Sequence, residues 1–180
     1  RYENGERNFA GLILPNNLRK GEKLQRPLVE FYTKAEVGEH DELINQAGLE
    51  HDTMRLQEIS LNLFNYAATF LENKGLTFID TKYEFGLDEN GNIILIDEIN
   101  TPDSSRIGME LEKGEFFHLD KEYFRLKFSK RKEITDSLRI GTAVRYAAAY
   151  EKITGRKIFF QRGDLIKRME ENLRKEGYLK

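Results

Sequence analysis

The 180-residue chain contains no cysteine, which removes disulfides, thiolate nucleophiles and cysteine metal ligands together. A chain built without cross-links suits a reducing cytosol, so a cytoplasmic location is expected. No apolar run approaches the roughly 20 residues that a membrane helix needs, so no membrane partner is expected. An excess of one charge is also missing. Twenty-nine Lys and Arg stand against thirty-one Asp and Glu, a formal charge of −2, which gives no electrostatic case for nucleic acid. Two basic clusters, 127–132 and 162–175, are interleaved with apolar residues and read as solvated helix faces. Repeats and low-complexity linkers are absent as well. With 39% hydrophobic and 33% charged residues, the composition is that of an ordinary globular protein, and a single domain over 1–180 is expected.

What is present is a mixture of hydrophobic periods. Residues 1–30 read as loops and short strands, with Phe9–Pro15 (FAGLILP) a strand stopped by its proline. Residues 31–51 read as an ordered loop. Asp52–Lys74 carries a helical stripe of Leu56, Ile59, Leu63, Ala67 and Phe70, with Gly75 just past its end. The aromatics Phe64, Tyr66 and Phe70 are read as core. Two strands, Leu76–Leu87 and Asn92–Asn100, flank DENG (Asp88–Gly91), and Asn90-Gly91 is a strong hairpin signal. A loop is expected over about 101–117, and helices over about 119–128, 133–154 and 164–176, with Asp164 a cap and Gly155 and Gly177 as stops. Ile158–Phe160 is a candidate short strand. The mixture predicts an α+β fold.

The hairpin carries an unusual set of charges. In its first strand Leu76, Phe78, Asp80, Lys82 and Glu84 share one face, and Thr77, Ile79, Thr81, Tyr83, Phe85 and Leu87 share the other, which is the expected core face. A four-residue loop sets Lys82 opposite Asp97, and a two-residue turn sets Glu84 there. Either register brings Lys82, Glu84 and Asp97 within side-chain reach. Such a group is either a surface charge cluster of little worth to stability or a seat for Mg²⁺, which takes one or two carboxylates and completes its shell with water and phosphate oxygens. Directly after the second strand, Asp103, Ser104, Ser105 and Arg106 supply turn-forming oxygens and a guanidinium fork suited to phosphate. Alone they would be a well-capped turn. Beside a metal face they resemble the equipment of phosphoryl transfer, where positioning and charge neutralisation supply most of the catalysis. His40-Asp41 reads equally as a hydrogen-bonded turn, and His51 and His118 stand in no motif.

Asp80-Thr81-Lys82-Tyr83-Glu84-Phe85-Gly86, Leu95-Ile96-Asp97-Glu98 and Thr101-Pro102-Asp103-Ser104-Ser105-Arg106 closely resemble the signature of the SAICAR synthetase (phosphoribosylaminoimidazole-succinocarboxamide synthase) family. Phe31–Glu36 with Gly38–Glu42, Asp120–Arg125 and Tyr150–Gly155 resemble further family segments in the same order, so the resemblance runs from about Gly11 to Gly155. It implies an ATP-grasp-like lobe, an antiparallel sheet with packed helices, and a ligase of purine biosynthesis. ATP would phosphorylate the carboxylate of carboxyaminoimidazole ribotide (CAIR), and the amine of L-aspartate would displace phosphate. It also implies roles. Lys82, Glu84 and Asp97 would serve ATP, with Glu84 and Asp97 holding Mg²⁺. Ser104, Ser105 and Arg106 would grip the ribotide phosphate, with Asp103 bracing their loop. Lys34, His40 and Asp41 would line the CAIR and aspartate region, and Lys121 and Arg125 would add anion contacts. The family's N-terminal lobe bears a glycine-rich loop over the ATP phosphates. No such loop occurs in this sequence, so the expectation is a C-terminal lobe with little or no turnover by itself. Ile107 stands where the family carries an aromatic, so a differently shaped site wall is expected. The charged amphipathic tail after Gly155 is expected to pack on the domain or on another subunit of a homo-oligomer. The competing readings are a paralogue acting on another carboxylate and amine, and a non-catalytic nucleotide-binding remnant.

Overall fold

The computed structural model describes residues 1–19, 21–35, 39, 42–44, 53–112, 115–159 and 163–180. Near the N-terminus the strand expected over Phe9–Pro15 is instead a small hairpin of β1 (Asn8–Phe9) and β2 (Leu12–Ile13). Ala10 and Gly11 both take positive φ, 47° and 78°, and two left-handed residues in succession reverse the chain. The side chain of Asn8 accepts the Gly11 N–H at 3.1 Å and closes the turn.

Helix α1 (Thr53–Glu72) forms as its period predicts, and Gly75 takes φ 68° beyond its end. Its buried face, however, runs through Ser60, Ala67 and Leu71, with Phe64 and Ala68 packed beside them. Tyr66 and Phe70 are 75% and 42% exposed, so of the three aromatics only Phe64 serves the core. The small Ala67 lets the helix lie close to the sheet, and the Phe64 ring meets the Phe78 ring at 5.0 Å.

The main sheet is antiparallel in the order β3 (Thr77–Thr81), β6 (Ser105–Glu110), β7 (Phe116–His118). A separate two-stranded hairpin pairs β4 (Glu84–Leu87) with β5 (Ile93–Ile96). Three expectations are corrected here. The long strand Leu76–Leu87 is two strands, divided at Lys82-Tyr83, because β3 pairs with β6 while β4 pairs with β5. The stretch 101–117 is not a loop throughout, since it contains the central strand β6 and the edge strand β7. The core face is the one bearing Leu76 and Phe78, which join Ala67, Leu71, Ile107, Leu119 and Ala149 in the buried cluster. Ile107 is fully buried there and lines neither of the two cavities found among the described residues. Gly108 is a packing requirement, because a Cβ at that position would lie 3.0 Å from the Phe117 carbonyl oxygen across the ladder.

Three further helices follow: α2 (Glu122–Arg131), α3 (Asp136–Thr154) and α4 (Leu165–Lys175). Thr135 and Asp164 cap α3 and α4 with their side chains, and Gly155 ends α3 in the left-handed region. Residues 158 and 159 are not in a strand, and Phe160 lies outside the described residues. Among the described residues no helix is long and apolar enough to cross a membrane. The α+β mixture with an antiparallel sheet and packed helices is borne out.

The junction between β7 and α2 is organised by Asp120, which is fully buried. One carboxylate oxygen accepts the Ile107 N–H at 2.5 Å, and the other accepts the Glu122 N–H at 2.7 Å. The Nδ1 of His118 stands 3.5 Å away. Replacing Asp120 with Ala orphans two backbone donors, each costing about 1–3 kcal/mol. Asp120→Ala is therefore expected to lower unfolding free energy by about 3 kcal/mol in a urea titration, whereas exposed Glu89→Ala stays within about 0.5 kcal/mol. Matching midpoints for the two variants would refute the assignment.

Candidate functional site

The β4–β5 register decides which charges meet. Glu84 pairs with Ile96 and Leu87 with Ile93, which differs by one position from both registers anticipated from sequence. The turn is five residues long, 88–92, because the Asp88 carboxylate binds it from inside. It accepts the N–H groups of Asn90 and Asn92 at 2.9 and 2.7 Å and the Asn92 side-chain amide at 2.8 Å. Asp97 thus falls one residue beyond the ladder. It is exposed and left-handed, with φ 64°, so it does not face Glu84 or Lys82 as a cross-strand partner.

Glu84 instead gathers two lysines. Lys34 donates to one of its carboxylate oxygens, and Lys82 approaches the other at 2.9 Å. Lys34 reaches this position because the Phe31–Thr33 stretch bridges to 42–44: Ile44 N–H donates to Phe31 O at 2.8 Å and Thr33 N–H to Glu42 O at 2.9 Å. The Glu84 carboxyl is held below the ordinary glutamate range, first by the bond from Lys34 and then by Lys82. All three side chains line a cleft of about 2330 Å³ bounded by 21–34, α1, β3 and β4. His40 and Asp41 lie outside the described residues.

The Thr101–Arg106 segment forms a second centre. Its hydroxyls bind the segment itself: Thr101 Oγ1 accepts the N–H groups of Asp103 and Ser104 at 3.2 and 3.1 Å, and Ser104 Oγ accepts the Thr101 N–H at 3.1 Å. Ser105 is buried, its hydroxyl 2.8 Å from that of Thr81. Asp103 is exposed and accepts the phenol of Tyr146 from α3. Burial, and then that bond, raises the Tyr146 phenol, so it stays a donor. Arg106 is held between two carboxylates, Asp80 directly across the β3–β6 ladder and Glu122 at 3.2 Å. Lys121 stands at the start of α2, its N–H 3.2 Å from the Pro102 carbonyl, and Arg125 lies one turn on with its N–H bonded to the Lys121 carbonyl.

Of the predicted residues described, all but Asp97 fall into two groups: Lys34, Lys82 and Glu84 at the cleft, and Asp103, Ser104, Ser105, Arg106, Lys121 and Arg125 around the turn. Asp80 joins them, since it lines the cleft and pairs with Arg106. The Lys82 N–H also bonds the Ser104 carbonyl at 3.2 Å. Asp80, Asp120, Glu122 and Tyr146 are organising residues that sequence reasoning left unassigned. Asp80 could be found only once β6 was recognised as a strand. Tyr146 sits 43 residues from Asp103 with no local signal. Among the described residues no three His, Asp or Glu side chains are placed to hold a metal ion. Oxygen donors such as Glu84 and Asp97 fit the preference of Mg²⁺, which draws its other ligands from water and phosphate.

A family model described as SAICAR synthetase matches residues 5–139. The phosphoribosylaminoimidazole-succinocarboxamide synthase of Corynebacterium urealyticum is 36% identical over 168 residues, 82% of this chain and 57% of the relative. A solved SAICAR synthetase (Type-2) in complex with ADP superposes with TM-score 0.62 at 34% identity, covering 79% of this chain and 57% of that one. The SAICAR synthase from Saccharomyces cerevisiae complexed with SAICAR gives TM-score 0.67 at 30% identity, over 84% and 54% of the two chains. The chain spans somewhat over half the length of these proteins.

The lysine pair on Glu84 has a measurable signature. A carboxylate with a depressed pKa contributes stability above its unfolded value of about 4.3 and loses it as pH falls through the lower, folded value. In a carbon-detected NMR titration Glu84 should titrate below the ordinary glutamate range. Lys34→Met should move it up the most and Lys82→Met less. A Glu84 midpoint untouched by both substitutions would contradict the pairing.

Proposed function

The chain belongs to the SAICAR synthetase family, and on that premise we propose that it takes part in ATP-dependent joining of CAIR to L-aspartate. The reading is carried by one observation above the rest: an acid flanked by two lysines, Lys34–Glu84–Lys82, on the wall of a large cleft. The ADP and SAICAR held by the two solved relatives agree with it.

In this reading ATP transfers its terminal phosphoryl group to the CAIR carboxylate, giving an acyl phosphate and ADP. The aspartate amine then attacks the acyl carbon, phosphate leaves, and an amide forms. No side chain need become a covalent nucleophile, because the acyl phosphate is the activated species. Mg²⁺, when bound, would neutralise phosphate charge, with Glu84 and Asp97 as its protein oxygens. Lys82 would sit against the transferring group, and Lys34, drawn to the same carboxylate, would face the CAIR and aspartate side with His40 and Asp41. Ser104, Ser105 and Arg106 serve the ribotide phosphate. Because Arg106 already lies between Asp80 and Glu122, an incoming phosphate would compete with these carboxylates, and the more exposed Lys121 and Arg125 would add charge nearby. Tyr146 holds Asp103 in place at the turn. A cytoplasmic setting fits this chemistry, and a contact between subunits would use the exposed Ile166, Met169 and Leu173 face of α4.

The test is ADP release by the longest chain that the gene encodes, with Mg²⁺, ATP, CAIR and aspartate, each omitted in turn. Release should require all four. Asp97→Asn should cut it by at least 100-fold while circular dichroism and unfolding midpoint are kept, since Asn tolerates the left-handed backbone there as well as Asp does. ADP release that ignores CAIR or aspartate would favour a paralogous substrate, and an unchanged Asp97→Asn enzyme would remove Asp97 from the nucleotide site.

A further inference from the structure

A second concavity lies on another part of the domain, between the edge strand β7, α2 and α3. It measures about 270 Å³ and shares only Phe116 with the large cleft. Its walls are mostly aromatic, from Phe116, Phe117 and Tyr123 with His118 and Leu126 beside them, and its charged groups are Lys127, Lys130 and Arg145. No carboxylate lines it among the described residues. Three cations without an interspersed acid are a distinct local field in a chain whose formal charge is −2.

Arg145 is fixed rather than waving in solvent. Its guanidinium lies 3.5 Å from the Tyr123 ring centroid and 4.6 Å from that of Phe117, and it donates to the Gly141 carbonyl at 3.2 Å. Gly141 makes this possible. A Cβ at that position would lie 2.5 Å from the Tyr123 hydroxyl and 3.1 Å from its ring, so only glycine lets Tyr123 lie over α3. The Arg145 Nε, meanwhile, is buried with no hydrogen-bond partner. A buried N–H without an acceptor is a cost that the fold carries to hold the guanidinium against the two rings. A guanidinium already ordered by two rings and a carbonyl can bind an anion with little further entropy loss.

We propose that this concavity is a binding site for a small planar ring carrying one anionic head, a phosphate monoester or a carboxylate. The head is taken by Arg145 with Lys127 and Lys130, and the ring lies against Phe116, Phe117 and Tyr123. A concavity of about 270 Å³ is of the size of a ring and its head. The site is independent of the ligase reading, because none of its charged residues lines the large cleft.

Phenyl phosphate and benzoate are the probes, titrated into ¹⁵N-labelled protein, with inorganic phosphate as the ringless comparison and benzamide as the uncharged one. At least one of the two ring anions should bind with a millimolar dissociation constant and shift Phe117, Tyr123 and Arg145, and the tighter of the two identifies the head. Inorganic phosphate and benzamide should each bind at least 5-fold more weakly than that probe. The charge reversal Lys127→Glu with Lys130→Glu alters two exposed side chains, leaves the fold in place, and should weaken binding at least 10-fold. Arg145→Met, which keeps an apolar stem between the rings, should do the same. Overturning results are a failure of both ring anions to bind, equal binding of either comparison compound, or an affinity unmoved by the lysine reversal.

Discussion

Two backbone N–H groups converge on the carboxylate of Asp120, and the second centre of the molecule takes its position from that convergence. One belongs to Ile107, the residue directly after Arg106, and the other to Glu122, whose own carboxylate holds the Arg106 guanidinium. A buried carboxylate cannot be left unbonded, and two buried amides cannot be left without an acceptor. Strand β6 and the start of α2 are therefore locked at one relative position. Arg106 is carried on one side of that lock and its counter-ion on the other. Lys121 N–H to Pro102 O extends the same arrangement to the turn before β6.

Electrostatic pairing then links this joint to the cleft. Arg106 reaches across the ladder to Asp80, Asp80 lines the cleft, and the Lys82 backbone holds the Ser104 carbonyl. At Glu84 an acid sits between two lysines, so that trio is locally positive, although the cleft as a whole is lined by carboxylates and cations in nearly equal number. An anionic substrate meets a net cation at Glu84 but a balanced or negative group around Arg106. The two centres are thus unequal as anion seats, a distinction invisible in the one-dimensional order of Asp80, Lys82, Glu84 and Arg106.

Much of the fold was legible because helices advertise themselves by period and by caps. α1, α3 and α4 appear where stripe, the Asp164 cap and terminal glycines place them, with α3 starting at Asp136 behind a Thr135 cap rather than at 133. The strands were harder for identifiable reasons. β6 follows a run of turn residues and contains Gly108, so SRIGME reads as loop, yet Gly108 is there because Phe117 O comes so close. The hairpin was visible but its register was not: Asn90-Gly91 advertises a short turn, while the Asp88 side chain, bonding to Asn90 and Asn92, sets five residues. That one-residue difference moved Asp97 off the ladder and replaced the anticipated Asp97 contact with Lys34, which arrives from 50 positions away. The exposed Tyr66 and Phe70 were misread because helical spacing gives the width of an apolar face and not which edge of it meets the sheet.

The β4–β5 hairpin lies wholly within the connection from β3 to β6. This nesting bears on how the chain finds its structure. Pairing β3 with β6 requires closing a long loop, whose entropic cost grows with the logarithm of its length. A hairpin formed first brings Glu84 beside Ile96 and roughly halves the contour that remains, which saves about 0.6 kcal/mol of closure entropy. Hairpins form in about 1–10 μs, early on the scale of domain folding. The segment carrying Glu84 therefore acts as an internal splint: it assembles by itself and shortens the search by which the central sheet closes around it.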